Sequence, residues 1–214
     1  MIIPKLHYIS QGNSPKGHLE NIQKACTSGV ELVQLRLKNV SEKKLLQFAK
    51  EARDITSHFQ TRLIINDHYK IAIAVKADGV HLGKTDACPK LARKHLYSWQ
   101  IIGGTANTLE ECELLIAKEV DYISLSPFRL TPTKTDLNTA LGLNGYAAIS
   151  EALKTKTPII GFGGITTEDV IGLLERGISG IAVSEAITRN FDSIRLFNQL
   201  LKASSTQEQR HTFK

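Results

Sequence analysis

No stretch of this sequence comes near the about 18 continuous apolar residues that a membrane-spanning helix needs, so no membrane span is expected. There are only 3 cysteines, Cys26, Cys88 and Cys112, and no CxxC pair. That argues against zinc and for a reducing, cytoplasmic setting. His7, His18, His58, His68, His81, His95 and His211 show no metal-ligand spacing. No Ser/His/Asp or Cys/His arrangement suggests a protein nucleophile. The opening "MIIPKLHYIS" has too short an apolar run for a secretory signal. The net charge of +6 comes from Lys and Arg scattered along the chain. No basic helix is interleaved with aromatics and no nucleic-acid motif occurs, so the excess points to anionic metabolites and not to nucleic acid.

What is there is an alternation. Apolar, β-branched runs read as strands at Leu6–Ser10, Glu31–Arg36, Arg62–Asn66, Gly79–Leu82, Gln100–Gly103, Tyr122–Ser126, Pro158–Phe162 and Gly180–Val183. Amphipathic stretches lie between them. In "SEKKLLQFAKEARDI", Leu45, Phe48, Ala49 and Ala52 share one face and Ser41 suits the N-cap. "TLEECELLIAKE" and "TTEDVIGLLERG" begin with Thr caps and early acids, and Gly177 supplies a stop. Eight such units in one chain of 214 residues predict a single-domain α/β protein, a small (β/α)8 TIM barrel, over residues 1–203, with 204–214 a frayed tail. Oligomeric state is not set by these features, and a homo-oligomer stays open.

In such a barrel the C-terminal ends of the strands form one rim, where active sites sit. The second strand ends in "QLRLK", where Gln34, Arg36 and Lys38 alternate and are expected on one side. The third ends in Asn66-Asp67, and Asp86 follows the fourth, within "IINDHYKIAIAVKADGVHLGKTD". Thr105 follows in "GGTANT", then Thr131, Thr133 and Lys134 in the long loop "SPFRLTPTKTDLNTALGLNG". "GFGGIT" and "VSEAI" are small-residue turns whose backbone N–H groups suit a phosphate. Cations and carboxylates on one rim conflict unless a metal joins them. Asp67 and Asp86 suit Mg2+, which takes carboxylates together with phosphate oxygens. Arg36, Lys38 and Lys134 suit the remaining charge of a departing pyrophosphate.

Each placement has a plainer reading. Asp67 and Asp86 suit helix caps or a loop acid, Arg36 and Lys38 suit weak rim ion pairs, and Lys134 suits solvent. Gly163-Gly164 suits a tight turn and Ser184 a cap. His81 suits a packed, hydrogen-bonded core histidine. Cys88, before Pro89, suits a helix-start thiol or a small hydrophobe.

The ordered set "QLRLK", "IINDHYKIAIAVKADGVHLGKTD", "GGTANT", "TPTKTD", "GFGGIT" and "VSEAI" resembles the thiamine phosphate synthase family over nearly the whole chain. The resemblance implies a (β/α)8-barrel transferase that joins hydroxymethylpyrimidine pyrophosphate to thiazole phosphate and releases pyrophosphate. It implies that Gln34, Arg36, Lys38, Asn66 and Lys134 bind the pyrimidine pyrophosphate. Asp67 and Asp86 would ligate Mg2+, with the Thr105 hydroxyl reaching the pyrophosphate. Thr131, Thr133, Gly164, Val183 and Ser184 would hold the thiazole phosphate. The implied mechanism is dissociative and needs no protein nucleophile. Ser126, Arg129, Leu130 and Asn107 depart from the family pattern, and Arg129 reads either as extra charge near the thiazole phosphate or as a solvent residue. The rivals are a thiazole tautomerase-like paralogue, a non-catalytic phosphate-ligand-binding barrel, and a sugar-phosphate isomerase or epimerase. The first characteristically lacks the paired aspartates and uses a His where this chain has Asn107.

Overall fold

The computed structural model describes residues 2–130 and 139–202. Strands and helices alternate: β1 (Leu6–Ile9), α1 (Pro15–Thr27), β2 (Leu32–Leu35), α2 (Glu42–His58), β3 (Arg62–Asn66), α3 (Tyr69–Ala74), β4 (Gly79–Leu82) and α4 (Pro89–Arg93). Then come β5 (Ile101–Ala106), α5 (Leu109–Ala117), β6 (Tyr122–Leu125), α6 (Gly142–Leu153), β7 (Ile159–Phe162), α7 (Val170–Glu175), β8 (Gly180–Val183), α8 (Glu185–Arg189) and α9 (Ser193–Leu201). The eight strands are parallel and each pairs with its neighbour in sequence; β8 pairs back with β1 and closes the barrel. The chain is therefore a (β/α)8 barrel. No helix among the described residues is long and apolar enough to cross a membrane.

All eight expected strands form, with shifted ends. β5 runs on to Ala106, while β2 stops at Leu35. Arg36 and Lys38 therefore do not alternate with Gln34 on a strand, as expected; they lie past its end in the loop. α2 follows expectation: the Ser41 hydroxyl accepts from the Lys44 N–H, and Leu45, Ala49 and Ala52 are buried on one face. Thr108 caps α5 in the same way. "TTEDVIGLLERG" does not form one helix: Thr166 and Asp169 make a capping box around a 3-10 turn at Thr167–Asp169, and α7 begins only at Val170. Gly177, in the left-handed region at φ 83, ends α7. The proposed tail, 204–214, lies outside the described residues.

Alternation along the strands builds two layers. The outward residues of the strands form the large core against the helices, including Val33, Leu35, Leu63, Ile65 and Val80. Inward, Leu32, Ile64, Ile101, Tyr122 and Ile160 fill the barrel with a separate apolar cluster. The next inward positions toward the C-terminal rim are polar and buried: Gln34, Asn66, His81 and Ser124. At the opposite rim, Asp78 accepts from the Leu63 N–H at 2.7 Å and pairs with Arg53 of α2 at 2.6 Å. Two units on, Asp121 accepts from the Ile102 N–H at 2.7 Å and pairs with Arg93 of α4 at 2.5 Å. The same device thus ties helix, strand and loop twice on the face that carries stability.

Gly103 has no side chain because Tyr122 occupies that space: a Cβ there would sit inside the Tyr122 ring. Gly103→Ala is expected to lower the unfolding free energy by ~2 kcal/mol, the usual cost of overpacking a closed core. Urea unfolding measures it, and a change under ~0.5 kcal/mol would show that the barrel interior yields more easily than its packing implies.

Candidate active site

The C-terminal rim opens into a cavity of about 500 Å³. Arg36 and Lys38 line it from the β2 loop, Arg129 from the β6 loop, Gly163 to Thr166 from the β7 turn, and Val183 to Ala186 from the β8 turn. The structure thus brings Arg36, Lys38, Gly164, Val183 and Ser184 together. Thr131, Thr133 and Lys134 lie outside the described residues.

Beneath the rim, Gln34 Nε2 donates to Asn66 Oδ1 at 2.7 Å, both side chains being buried. This bond fixes two amides side by side and leaves Gln34 Oε1 and Asn66 Nδ2 as an acceptor and a donor that no described residue engages. Next to them the Tyr122 hydroxyl lies 3.0 Å from His81 Nδ1, and His81 Nε2 lies 2.8 Å from Thr105 Oγ1. His81 is the packed core histidine expected from sequence, and it orients the Thr105 hydroxyl.

Asp67 follows β3 directly, in the left-handed region at φ 66. An Asp tolerates this better than most residues, but the strand must turn sharply there. The helix-cap reading fails for Asp67, because the N-cap of α3 is His68 and no side chain caps it. Asp86 is oriented by its own loop, accepting from the Gly83 N–H at 2.6 Å, and it does not cap α4, whose N-cap is Cys88. The two carboxylates meet. Burial, a hydrogen bond with Asp86 and the charge of Asp86 push Asp67 from 3.8 up to about 6, against the lowering effect of Lys38 and His68. Lys38 Nζ, itself exposed, is 3.9 Å from Asp67 Oδ2, a loose pair that neutralises only part of this charge. Two carboxylates that act on each other at a rim beside cations are a donor set that fits Mg2+.

The β7 turn answers the phosphate expectation with backbone. Gly163 and Gly164 lie in the left-handed region, at φ 107 and 66. Among the described residues nothing accepts from the Gly164 or Ile165 N–H, and both residues line the cavity. Ser184 lines the cavity; its hydroxyl donates to the Ile9 carbonyl at 2.9 Å, and no side-chain bond caps α8.

Two features escape sequence reasoning. Ser10 Oγ accepts from the Arg36 N–H at 3.0 Å and lies 2.9 Å from His18 Nδ1, so the β1 loop and α1 steady the base of the Arg36 loop. Burial holds His18 below its ordinary pKa, with the Arg36 charge acting the same way. Nothing in the spacing of Ser10, His18 and Arg36 announces this contact. Arg129, flagged as a departure, is half-exposed and paired: both of its terminal nitrogens bind the Asp169 carboxylate. Asn107, another flagged departure, donates its side-chain amide to the Ser126 carbonyl.

Fold and rim define the class: a (β/α)8-barrel enzyme with its polar cavity on the C-terminal face. A family model described as thiamine monophosphate synthase matches residues 6–187. A thiamine-phosphate synthase of Flavobacterium johnsoniae is 42% identical over 199 residues, covering 92% of this chain and 94% of that protein. One from Bacteroides fragilis is 35% identical over 199 residues, covering 92% of this chain and 98% of that protein. The solved structure of a thiamine phosphate pyrophosphorylase from Pyrococcus furiosus matches with TM-score 0.79 at 27% identity, over 92% of this chain and 96% of that one. The chain belongs to the thiamine monophosphate synthase family and is a transferase.

Because Asp67 is raised, the folded protein holds that proton more tightly than the unfolded chain. This contribution to stability is full below the ordinary 3.8 and is lost as pH rises through about 6. In chelator, Asp86→Asn is expected to raise stability above pH ~6 by ~1 kcal/mol after solvent screening. That corresponds to about 2–4 °C in Tm for a chain of this size, and the gain should shrink toward pH ~4. Equal melting temperatures at both pH values would show that the carboxylates do not interact.

Proposed function

We propose that this protein joins hydroxymethylpyrimidine pyrophosphate to thiazole phosphate, giving thiamine phosphate and pyrophosphate, with Mg2+ as cofactor. The observation that carries the reading is the Asp67–Asp86 pair beside a cavity lined by Arg36, Lys38 and the open amides of Gly164 and Ile165. One anion seat suits the pyrophosphate and the other the acceptor's phosphate. Both substrates would then lie along one rim.

The chain's own groups account for the steps. Gln34 Oε1 and Asn66 Nδ2 offer an acceptor and a donor side by side, the pattern an aminopyrimidine edge presents in reverse. The bond between the pyrimidine methylene carbon and the pyrophosphate oxygen breaks, and its electron pair leaves on that oxygen. Arg36 and Lys38 face the charge that develops there, and the Thr105 hydroxyl, oriented by His81, offers a further hydrogen bond. Bound by Asp67 and Asp86, Mg2+ would supply further charge neutralisation to the leaving group. The ring nitrogen of the thiazole then bonds to the methylene carbon, held at reacting distance by its phosphate in the β7 and β8 turns. No proton must be removed from the acceptor nitrogen, so no general base is needed. Lys134, Thr131 and Thr133 join this reading through the "TPTK" motif alone. An exposed free thiol at Cys88 suits a cytoplasmic enzyme.

The test is one incubation of both substrates with Mg2+ or with chelator, following thiamine phosphate and pyrophosphate. Equal amounts of the two products, formed only with Mg2+, are expected. Asp67→Asn and Asp86→Asn, which keep the backbone-tolerant shape and the acceptor for the Gly83 N–H, should each cut turnover on the order of 10²-fold without lowering Tm. A folded protein that makes neither product sinks the reading.

A further inference from the structure

Arg129 sits at the root of the β6 loop and grips the β7 turn by main chain and side chain together. Its N–H donates to the Gly163 carbonyl at 2.9 Å, and Nη1 donates to the Gly164 carbonyl at 2.8 Å. The Phe128 N–H donates to the Phe162 carbonyl at 2.9 Å just before it. The approach is close: a Cβ on Gly163 would meet Phe128 N and Pro127 Cα at 3.0 Å. The guanidinium lies 4.6 Å from the centre of the Phe128 ring.

Asp169 holds the far side of this grip. Nη1 binds Asp169 Oδ2 at 2.6 Å, Nη2 binds Oδ1, and Oδ2 also accepts from the Thr166 N–H at 2.8 Å and the Thr166 hydroxyl at 3.0 Å. The bidentate pairing commits both terminal nitrogens of the guanidinium to Asp169 and gives it a fixed orientation against the turn.

Peptide geometry says what the grip does. Carbonyl and N–H point in opposite directions across a planar trans peptide. Drawing the Gly163 and Gly164 carbonyls toward Arg129 therefore aims the Gly164 and Ile165 N–H groups away from it. Those are the two amides with no acceptor among the described residues. Glycines at φ 107 and 66 have many other conformations open to them, so something outside the turn must select this one.

We propose that Arg129 is a positioning residue: clamped by Asp169, it fixes the Gly164 and Ile165 amides in the orientation that receives the acceptor's phosphate. The role rests on the synthase reading for the identity of that acceptor. The two amides, lining the cavity without an acceptor among the described residues, would suit an anion whatever its carrier.

The experiment measures steady-state kinetics for both substrates, and inorganic phosphate binding by calorimetry, on the full chain and on Arg129→Ala, Arg129→Lys, Asp169→Asn and the Arg129→Ala/Asp169→Asn double variant. The clamp predicts that every variant raises the KM for thiazole phosphate roughly tenfold. It also predicts that the KM for the pyrimidine pyrophosphate stays within about twofold, and that the double variant is no worse than either single one. Arg129→Lys keeps the charge and loses the fork, so it should not rescue. Phosphate affinity should fall in parallel. If Asp169→Asn leaves phosphate binding unchanged or tightens it, Arg129 acts as a direct cation and the proposal is wrong. Equal losses for both substrates together with a lowered Tm would mark a merely structural contact and overturn it too. If the wild type makes no thiamine phosphate, the synthase reading fails on its own. The phosphate titration still decides the clamp: weaker binding in Arg129→Ala and Asp169→Asn alike upholds it, and unchanged binding, or none in the wild type, overturns it.

Discussion

Closure of the parallel sheet is the constraint on which everything else in this molecule depends. Once β8 pairs with β1, every strand has one inward face and all strand ends of one kind share a rim. The period of two then does double duty. Leu32, Ile64, Ile101 and Ile160 make a dry floor, and positions two further along the strands carry Gln34, Asn66 and Gly103, with Phe162 closing the side at β7. A slip of one residue in any strand would trade floor for site. The Asp78–Arg53 and Asp121–Arg93 devices lie at the other rim, where they hold strand starts in register without touching the cavity.

On this frame the rim carries two kinds of unmatched charge. Asp67 and Asp86 oppose each other, and the exposed Lys38 offsets them only in part. Arg36 has no ion-pair partner among the described residues. A fold selected for stability alone would have matched these groups with one another, as it matched Arg53 and Arg93. Keeping them apart costs stability and leaves fields for a ligand to satisfy. The Arg129–Asp169 pair belongs to the matched class although it borders the cavity. That is why its role is to shape the turn and not to bind.

What sequence could show followed from local rules. Strand existence came from short β-branched runs, the start of α2 from Ser41 and its apolar face from Leu45, Ala49 and Ala52. Asp67 and Asp86 were legible because each follows the end of a strand, and strand ends converge. Three things were not legible. β3 runs one residue past the partner of Leu35, but the Arg36 N–H donates to the Ser10 hydroxyl oxygen, a side chain from another loop, so the alternation drawn through Arg36 and Lys38 was illusory. The Ser10–His18–Arg36 contact joins the loops after β1 and β2 with the helix between them, and no local pattern encodes it. The pairing of Arg129 with Asp169 spans 40 residues, and each looks like an ordinary surface charge by itself.

The histidines complete the electrostatic picture. His7 lies inside the barrel, where burial drives its pKa down to about 3 despite the bond to the Pro4 carbonyl, so the floor stays uncharged. Burial also holds His18 down at the cavity wall. His81 has both ring nitrogens engaged, by Tyr122 and Thr105. Of the cations that line the described cavity, Arg129 and Arg189 are paired with Asp169 and Glu185, which leaves Arg36 and the loosely held Lys38 to set its positive field. Asp67 is the acid whose proton is held into that range, and it is the one a cation on the rim would displace. A site built this way fits a reaction whose difficulty is the departure of an anion. On the proposed reading its cations would meet the leaving charge, its titrating carboxylate would answer to the metal, and no side chain would need to transfer a proton.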